Sequence, residues 1–181
     1  KGENIINSVG ALHHFKIERY NKKNYTKYNS LVTCIIGGEN NHYKFTINEA
    51  HTLCDRIREL IKINDNLEFL IITSRRTGNK IKKLIDNKLS SIAKLWLGDG
   101  DNPYEFALFN SNFFIITSDS TSMISEASVS GKPIYIYNLP HKRRSQRMDS
   151  FHREFKNMNI TRDFEIKKIL ESWSYTKLDE S

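Results

Sequence analysis

The chain has 181 residues, 38% of them hydrophobic, and a formal net charge of +7, which corresponds to one domain of ordinary size. The hydrophobic fraction excludes a disordered chain, and 8 glycines and 3 prolines exclude a collagen-like or linker composition. No stretch reaches the roughly 18 uncharged apolar residues that a membrane span requires. We therefore expect a soluble, packed domain.

The two cysteines, Cys34 and Cys54, lie inside apolar patterns. They form neither a disulfide framework nor a set of zinc ligands, which indicates a reducing, cytoplasmic location. The sequence opens at Lys1 without a methionine or a signal pattern, so we expect a fragment of a longer protein.

The first thirty residues differ in character from the rest. Residues 5–12 are compatible with a helix or an exchanged strand, and residues 16–29 form a polar connector rich in Lys, Tyr and Asn. We assign 1–30 to a crossover arm and start the domain proper at Leu31.

From Leu31 onward, apolar strand-like runs alternate with helix-period segments, which is typical of βαβ units with a parallel sheet. A capping box at Thr46 and Glu49 opens the clearest helix. The five predicted strands cover 31–36, 68–73, 92–97, 113–118 and 133–137. Helices are predicted over 46–61, after Gly78, over 103–110 and over 120–130. A further helix follows the basic loop 141–147 and contains Phe151, Phe155 and Met158.

Five strands with right-handed crossovers build a doubly wound, Rossmann-like α/β sheet, whose ligand crevice lies at the carboxyl ends of the strands. We assign residues 31–163 to this nucleotide-binding domain. Residues 164–181 are predicted to be a C-terminal helix, ending near Trp173, and a tail.

Three loops at that edge carry candidate ligand-binding residues. Glycines follow the first strand, and their backbone N–H groups can approach a phosphate; the alternative is an ordinary strand-to-helix turn. Arginines follow the second strand and suit a diphosphate; the alternative is a solvated helix start. The fourth strand leads into a hydroxyl-rich helix start whose glutamate can accept hydrogen bonds from a ribose diol, unless it is merely solvated. The candidates are Gly37, Gly38, Asn40, Ser74, Arg75, Arg76, Asp119, Ser120, Ser122, Met123 and Glu126.

No metal site is predicted. Asp99 and Asp101 spell a D-x-D pattern, but they precede an Asn-Pro helix start and more plausibly solvate that turn. His14 is a candidate general base, although no cysteine or acid pairs with it at ligand spacing. No other catalytic residue stands out.

Basic residues concentrate in 139–162, including Arg143, Arg144 and Arg147. Such a patch can meet nucleic acid, an anionic membrane surface or only water. No RNP, KH or zinc-finger pattern accompanies it, so we expect no nucleic-acid partner.

Five segments, in order, resemble the ELM1-like family, which comprises the plant mitochondrial fission protein and bacterial relatives. They are LVTCIIGGEN at 31–40, TSRRT at 73–77, GDNPY at 100–104, TSDSTSMISEA at 117–127 and FH at 151–152. The resemblance implies a glycosyltransferase-B-like architecture of two Rossmann-like halves, of which this chain is the C-terminal, nucleotide-side half. It also implies a Gly-rich loop near the diphosphate at Gly37 and Gly38, and a ribose contact at Glu126.

Two functions remain open at this point. The first is the nucleotide-sugar-binding domain of a metal-independent glycosyltransferase that needs no cofactor beyond its nucleotide-sugar substrate and is completed by a missing N-terminal half. The second is a non-catalytic adaptor of the same fold, bound to a protein or to a membrane periphery through the basic surface. Heavy use of Asn, Lys, Ile and Tyr indicates an AT-rich, bacterial source.

Overall fold

The computed structural model describes residues 9–15, 30–165 and 170–177. Most of the predicted arm, including the helix or strand proposed for 5–12 and the connector at 16–29, lies outside these residues. The described part of that arm, 9–15, contains bends and no helix or strand.

Strands and helices alternate along the domain. The strands are β1 (Leu31–Ile36), β2 (Glu68–Thr73), β3 (Lys94–Trp96), β4 (Phe113–Thr117), β5 (Ile134–Tyr137) and β6 (Thr161–Asp163). The helices are α1 (Ile47–Ile63), α2 (Asn79–Leu89), α3 (Tyr104–Asn110), α4 (Thr121–Ser128) and α5 (Gln146–Asn157). The predicted capping box at Thr46 and Glu49 is present at the start of α1.

All six strands are parallel and lie in the order β3-β2-β1-β4-β5-β6. The strand order reverses between β1 and β4, which is the position where open α/β sheets usually bind ligands. The predicted Rossmann-like, doubly wound fold is confirmed.

Helices cover both faces of the sheet, as the continuous apolar runs require. Side chains alternate along β1, so that Val32 and Cys34 pack toward α1 and α2, while Ile35 packs toward α4 and α5. The two largest fully buried side chains on the second face are Phe114 of β4 and Phe155 of α5. The apolar side chains on the two faces of the sheet hold the strand ends in fixed positions at the carboxyl edge.

The structure differs from the prediction after Pro140, where we expected no strand. That expectation was wrong, because Thr161–Asp163 pairs in parallel with β5 as a sixth, edge strand. Its three polar residues carry no apolar pattern, so periodicity could not reveal it. The third predicted strand, 92–97, is shorter and comprises only Lys94–Trp96.

The C-terminal segment packs along the domain without the predicted helix in its described residues, 164–165 and 170–177. The indole N–H of Trp173 donates to the carbonyl of Asn159 at 2.8 Å, and the hydroxyl of Tyr175 donates to the carbonyl of Lys132 at 2.8 Å. Leu170 packs against the core. Among the described residues, no helix combines the length and apolarity needed to cross a bilayer.

Candidate functional site

A cleft of about 550 Å³ opens at the carboxyl edge of the sheet. It brings together four of the predicted site residues, which come from the loop after β2 and from α4: Ser74, Arg75, Met123 and Glu126. The remaining lining residues are Ile35, Ile72, Thr73, Trp96, Gly98, Asn102 and Tyr104. Depressions of similar size at the β6 edge and at the amino end of the strands contain none of the predicted residues. The cleft is therefore the candidate site.

Glu126 lies in the wall of the cleft, partly buried on α4. Its carboxylate accepts a hydrogen bond from the hydroxyl of Tyr104 on α3. Burial raises the pKa of Glu126, while the Tyr104 hydrogen bond and the nearby His13 and His14 act in the opposite direction. A carboxylate held in this way can accept hydrogen bonds from vicinal hydroxyl groups.

The segment 9–15 packs beside α4 and brings His14 near the cleft. The backbone N–H of Ala11 donates to the hydroxyl of Ser125 at 2.9 Å, and Phe15 is only 6% exposed. The Phe15 ring lies 6.2 Å from that of Tyr104 and 4.2 Å from that of His14. His14 itself is exposed, so its imidazole is accessible to solvent.

Asp119 lies outside the cleft, at the reversal of strand order between β1 and β4. Its side chain has no exposed surface. The carboxylate accepts hydrogen bonds from the backbone N–H of Gly38 at 3.1 Å, from the Thr117 hydroxyl at 2.6 Å and from the Arg76 guanidinium at 2.5 Å. Both oxygens of Asp119 are therefore engaged within the protein.

The same network explains the two glycines after β1. A Cβ at Gly37 would lie 2.1 Å from a carboxylate oxygen of Asp119, and a Cβ at Gly38 would lie 2.2 Å from the carbonyl oxygen of Arg76. Real Cβ atoms do not approach other atoms so closely, so the protein's own packing requires glycine at both positions. Their predicted contact with a phosphate stays a prediction.

Several hydroxyl groups of residues 117–130 accept hydrogen bonds from backbone N–H groups and so stabilise the fold. Thr117 accepts from the backbone N–H of Gly37 at 2.8 Å, and Ser118 accepts from that of Leu139 at 3.0 Å. Ser120 caps α4 by accepting from the backbone N–H of Met123 at 3.4 Å. Ser122, in the first turn of α4, is exposed.

Asn40 shapes the loop after β1. Its side-chain oxygen accepts from the backbone N–H groups of His42 at 2.8 Å and Tyr43 at 2.9 Å. Its side-chain amide donates to the carbonyl of Asp119 at 3.0 Å. This contact ties the loop after β1 to the loop after β4.

The loops after β1 and β5 join over the end of β4. Tyr43 and His141 form an isolated antiparallel bridge, and their rings stack 4.9 Å apart. The carbonyl of His42 accepts from the backbone N–H of Lys142 at 2.7 Å. Below this bridge, Ser118, Asp119 and Ser120 are 1%, 4% and 8% exposed, so this part of the edge is closed to a ligand.

His152 on α5 supports the closed region from the other face. Its Nε2 lies 2.9 Å from the carbonyl oxygen of Ser118, so Nε2 carries the proton and donates. Burial lowers the pKa of His152, and the hydrogen bond to Ser118 opposes that effect. The imidazole therefore donates to Ser118 from a position where burial disfavours its charged form.

The basic residues after β5 lie on the surface. Lys142 pairs with Glu39 at 2.7 Å, whereas Arg143, Arg144 and Arg147 are exposed. Asp99 and Asp101 are exposed as well. In residues 9–15, 30–165 and 170–177, no group of three His, Cys, Asp or Glu side chains lies close enough to hold a metal ion.

Sequence reasoning missed several cleft residues, above all Tyr104 and Trp96. Tyr104 opens α3 behind Asn102, whose side-chain oxygen accepts from the Tyr104 backbone N–H at 3.0 Å. The buried indole N–H of Trp96 has no acceptor among the described residues. Trp96 ends β3 and Tyr104 follows the next loop, so both lie at the carboxyl edge, and this location was the available signal.

Two curated relatives match most of the chain. The uncharacterized protein RP120 of Rickettsia prowazekii (strain Madrid E) is 33% identical over 165 residues, which cover 88% of this chain and 46% of that protein. The mitochondrial fission protein ELM1 of Arabidopsis thaliana is 25% identical over 189 residues, covering 99% of this chain and 43% of that protein. The chain thus spans less than half the length of these relatives.

Among solved structures, the MnaA of S. aureus, determined with UDP, is similar over 90% of this chain and 36% of its own, with a TM-score of 0.51 and 14% identity. This similarity supports one Rossmann-like half of a glycosyltransferase-B-like fold. The family model described as mitochondrial fission ELM1 matches residues 1–181. Together with the relative at 33% identity, this match shows that the chain belongs to the mitochondrial fission ELM1 family.

Proposed function

We propose that the chain binds a nucleoside diphosphate sugar in the cleft and forms the nucleotide-binding part of a glycosyltransferase-like protein. The observation that carries this proposal is that the partly buried carboxylate of Glu126 and the side chain of Arg75 line the same cleft. A nucleoside diphosphate needs both, because its ribose offers two donors and its phosphates carry negative charge.

The lining suits the three parts of such a ligand. The half-buried side chain of Trp96 offers an apolar surface for the base. Glu126 would accept from the ribose hydroxyls. Arg75 would face the diphosphate.

The transfer reaction needs an acceptor, which we assign to a second half that completes the cleft. The present chain would stabilise the leaving diphosphate by proximity and electrostatics, without a metal or a further cofactor. His14 is the candidate general base, because it is exposed and close enough to Glu126 to affect its pKa. MnaA, whose structure was determined with UDP, supports a nucleotide ligand through its similar fold only.

Titration of the chain with UDP, followed by calorimetry and by the thermal midpoint, tests the proposal. We expect UDP to raise the midpoint and Glu126→Ala to abolish the increase. Glu59→Ala is the matched control, because Glu59 is an exposed glutamate on α1, away from the cleft. If no nucleoside diphosphate raises the midpoint at millimolar concentration, the proposal fails.

The exposed arginines Arg143, Arg144 and Arg147 favour an adaptor as a second candidate. The loop that carries Arg143 and Arg144 is fixed by backbone hydrogen bonds to His42, and Arg147 lies in the first turn of α5, so the charges are presented on a defined surface. This candidate predicts salt-sensitive binding to vesicles that contain anionic lipid. The double variant Arg143→Glu/Arg144→Glu should lose that binding, whereas Glu126→Ala should keep it; retained binding in the double variant would contradict the adaptor.

A further inference from the structure

Two adjacent arginines, Arg75 and Arg76, occupy the central positions of a tight turn after β2. The backbone N–H of Thr77 donates to the carbonyl of Ser74 at 3.1 Å, which closes the turn. The hydroxyl of Thr77 donates to the carbonyl of Gly37 at 2.5 Å. The turn is thus attached to the loop after β1.

The two arginines have different environments. Arg75 lines the cleft, whereas Arg76 reaches the buried carboxylate of Asp119 and is not a cleft residue. We infer that Arg75 is the residue that contacts the ligand's phosphates, and that Arg76 and Asp119 form a positioning pair that holds the turn beneath it. This inference rests on the proposed nucleotide function.

The chemistry of Asp119 supports this division. Its carboxylate is fully buried, so it needs a compensating positive charge and hydrogen-bond donors. Gly38, Thr117 and Arg76 supply them. A phosphate placed against Asp119 would meet a like charge, so the pair acts on the ligand only through the position of the turn.

Binding of UDP and uridine, measured by calorimetry on the 181-residue chain, separates the roles. Arg75→Gln should weaken UDP binding about tenfold while uridine binding and the thermal midpoint stay as in the wild type. Loss of uridine binding, or unchanged UDP binding, would contradict the role of Arg75.

Arg76→Gln leaves a buried carboxylate without its cation, so it should lower the midpoint by about 4 °C or more and weaken UDP binding through the displaced turn. The second substitution Asp119→Asn removes that unpaired charge. The double variant Arg76→Gln/Asp119→Asn should therefore regain most of the lost midpoint and of the UDP affinity. If it regains the midpoint but binds UDP as weakly as Arg76→Gln, then Arg76 contacts the phosphates and the inference is overturned.

Failure of the proposed function gives a different pattern. A wild-type chain that binds no UDP would reject both the nucleotide site and the role of Arg75. The midpoints of the single and double variants would still report on the pair: non-additive losses support the coupling of Arg76 with Asp119, and additive losses reject it.

Discussion

Tyr104 donates a hydrogen bond to the carboxylate of Glu126 and so connects α3 with α4 across the cleft. The bond fixes the glutamate in a place where burial disfavours its charge. A group that is kept charged at a cost in stability is common in binding sites, because the charge serves the ligand rather than the fold.

Substitution of Glu126 by glutamine tests this cost. Glu126→Gln keeps an acceptor for Tyr104 but removes the charge. Because the folded-state pKa of Glu126 is raised, the wild type loses stability as the pH rises above the ordinary value of about 4.5. We expect the variant to be more stable than the wild type at pH 7 and equally stable at pH 3, as measured by urea unfolding. A difference that does not change with pH would contradict this expectation.

Alanine at Gly37 should strongly destabilise the protein. The new Cβ would lie 2.1 Å from a carboxylate oxygen of Asp119, and that carboxylate cannot move without breaking its contacts. We expect a loss of at least about 3 kcal/mol in the free energy of unfolding. Gly78→Ala is the control, because nothing lies within 4 Å of its Cβ position; its cost should stay below about 1 kcal/mol. Equal losses for the two variants would show that the packing around Asp119 is not responsible.

His152 should make the stability depend on pH. Burial lowers its pKa below the ordinary value of 6.5, so the unfolded chain takes up a proton before the folded one does. The free energy of unfolding should therefore fall as the pH decreases through 6.5 and level off below the folded-state pKa. His152→Gln, whose amide can still donate to Ser118, should reduce this slope, whereas substitution of the exposed His51 should leave it. Indistinguishable slopes for both variants would rule out His152 as the source.

Cys34 and Cys54 should be unreactive in the folded protein. Both are buried, and burial raises the pKa of Cys54 to about 11 and that of Cys34 further. Thiolate is the reactive form, so iodoacetamide at pH 8 should label neither cysteine in native buffer and both in 6 M urea. Labelling is measured by mass spectrometry. If either thiol reacted in native buffer as fast as in the unfolded chain, the result would contradict its burial.

The elements of the fold could be predicted where buried residues leave an apolar pattern in the sequence. β1 and β2 have the predicted bounds, because buried central strands are continuous apolar runs ending in turn residues. β6 was missed because an edge strand of three residues needs no apolar pattern. The described part of the C-terminal segment is not helical, although its sequence has an amphipathic period.

The grouping of site residues was predictable only in part. Arg75 and Glu126 line the same cleft because parallel strands end at one edge, which is a property of the topology. The engagement of Asp119 with Gly38 joins residues 81 positions apart, and nothing local in the sequence indicates it. The close approach of Asp119 to Gly37 is equally invisible in the sequence, because a missing side chain does not show which atom lies in its place; the phosphate contact of the glycines stays a prediction.

The bridge between Tyr43 and His141 makes the carboxyl edge of the sheet asymmetric. The half over β4 and β5 is capped by the protein's own backbone, while the half over β2 and β3 remains open at the cleft. The open part of the edge lies beside Arg75 and Asn102. Any domain or partner that encloses the cleft has to cover the side over β2 and β3, because backbone contacts between the loops after β1 and β5 already cover the other side.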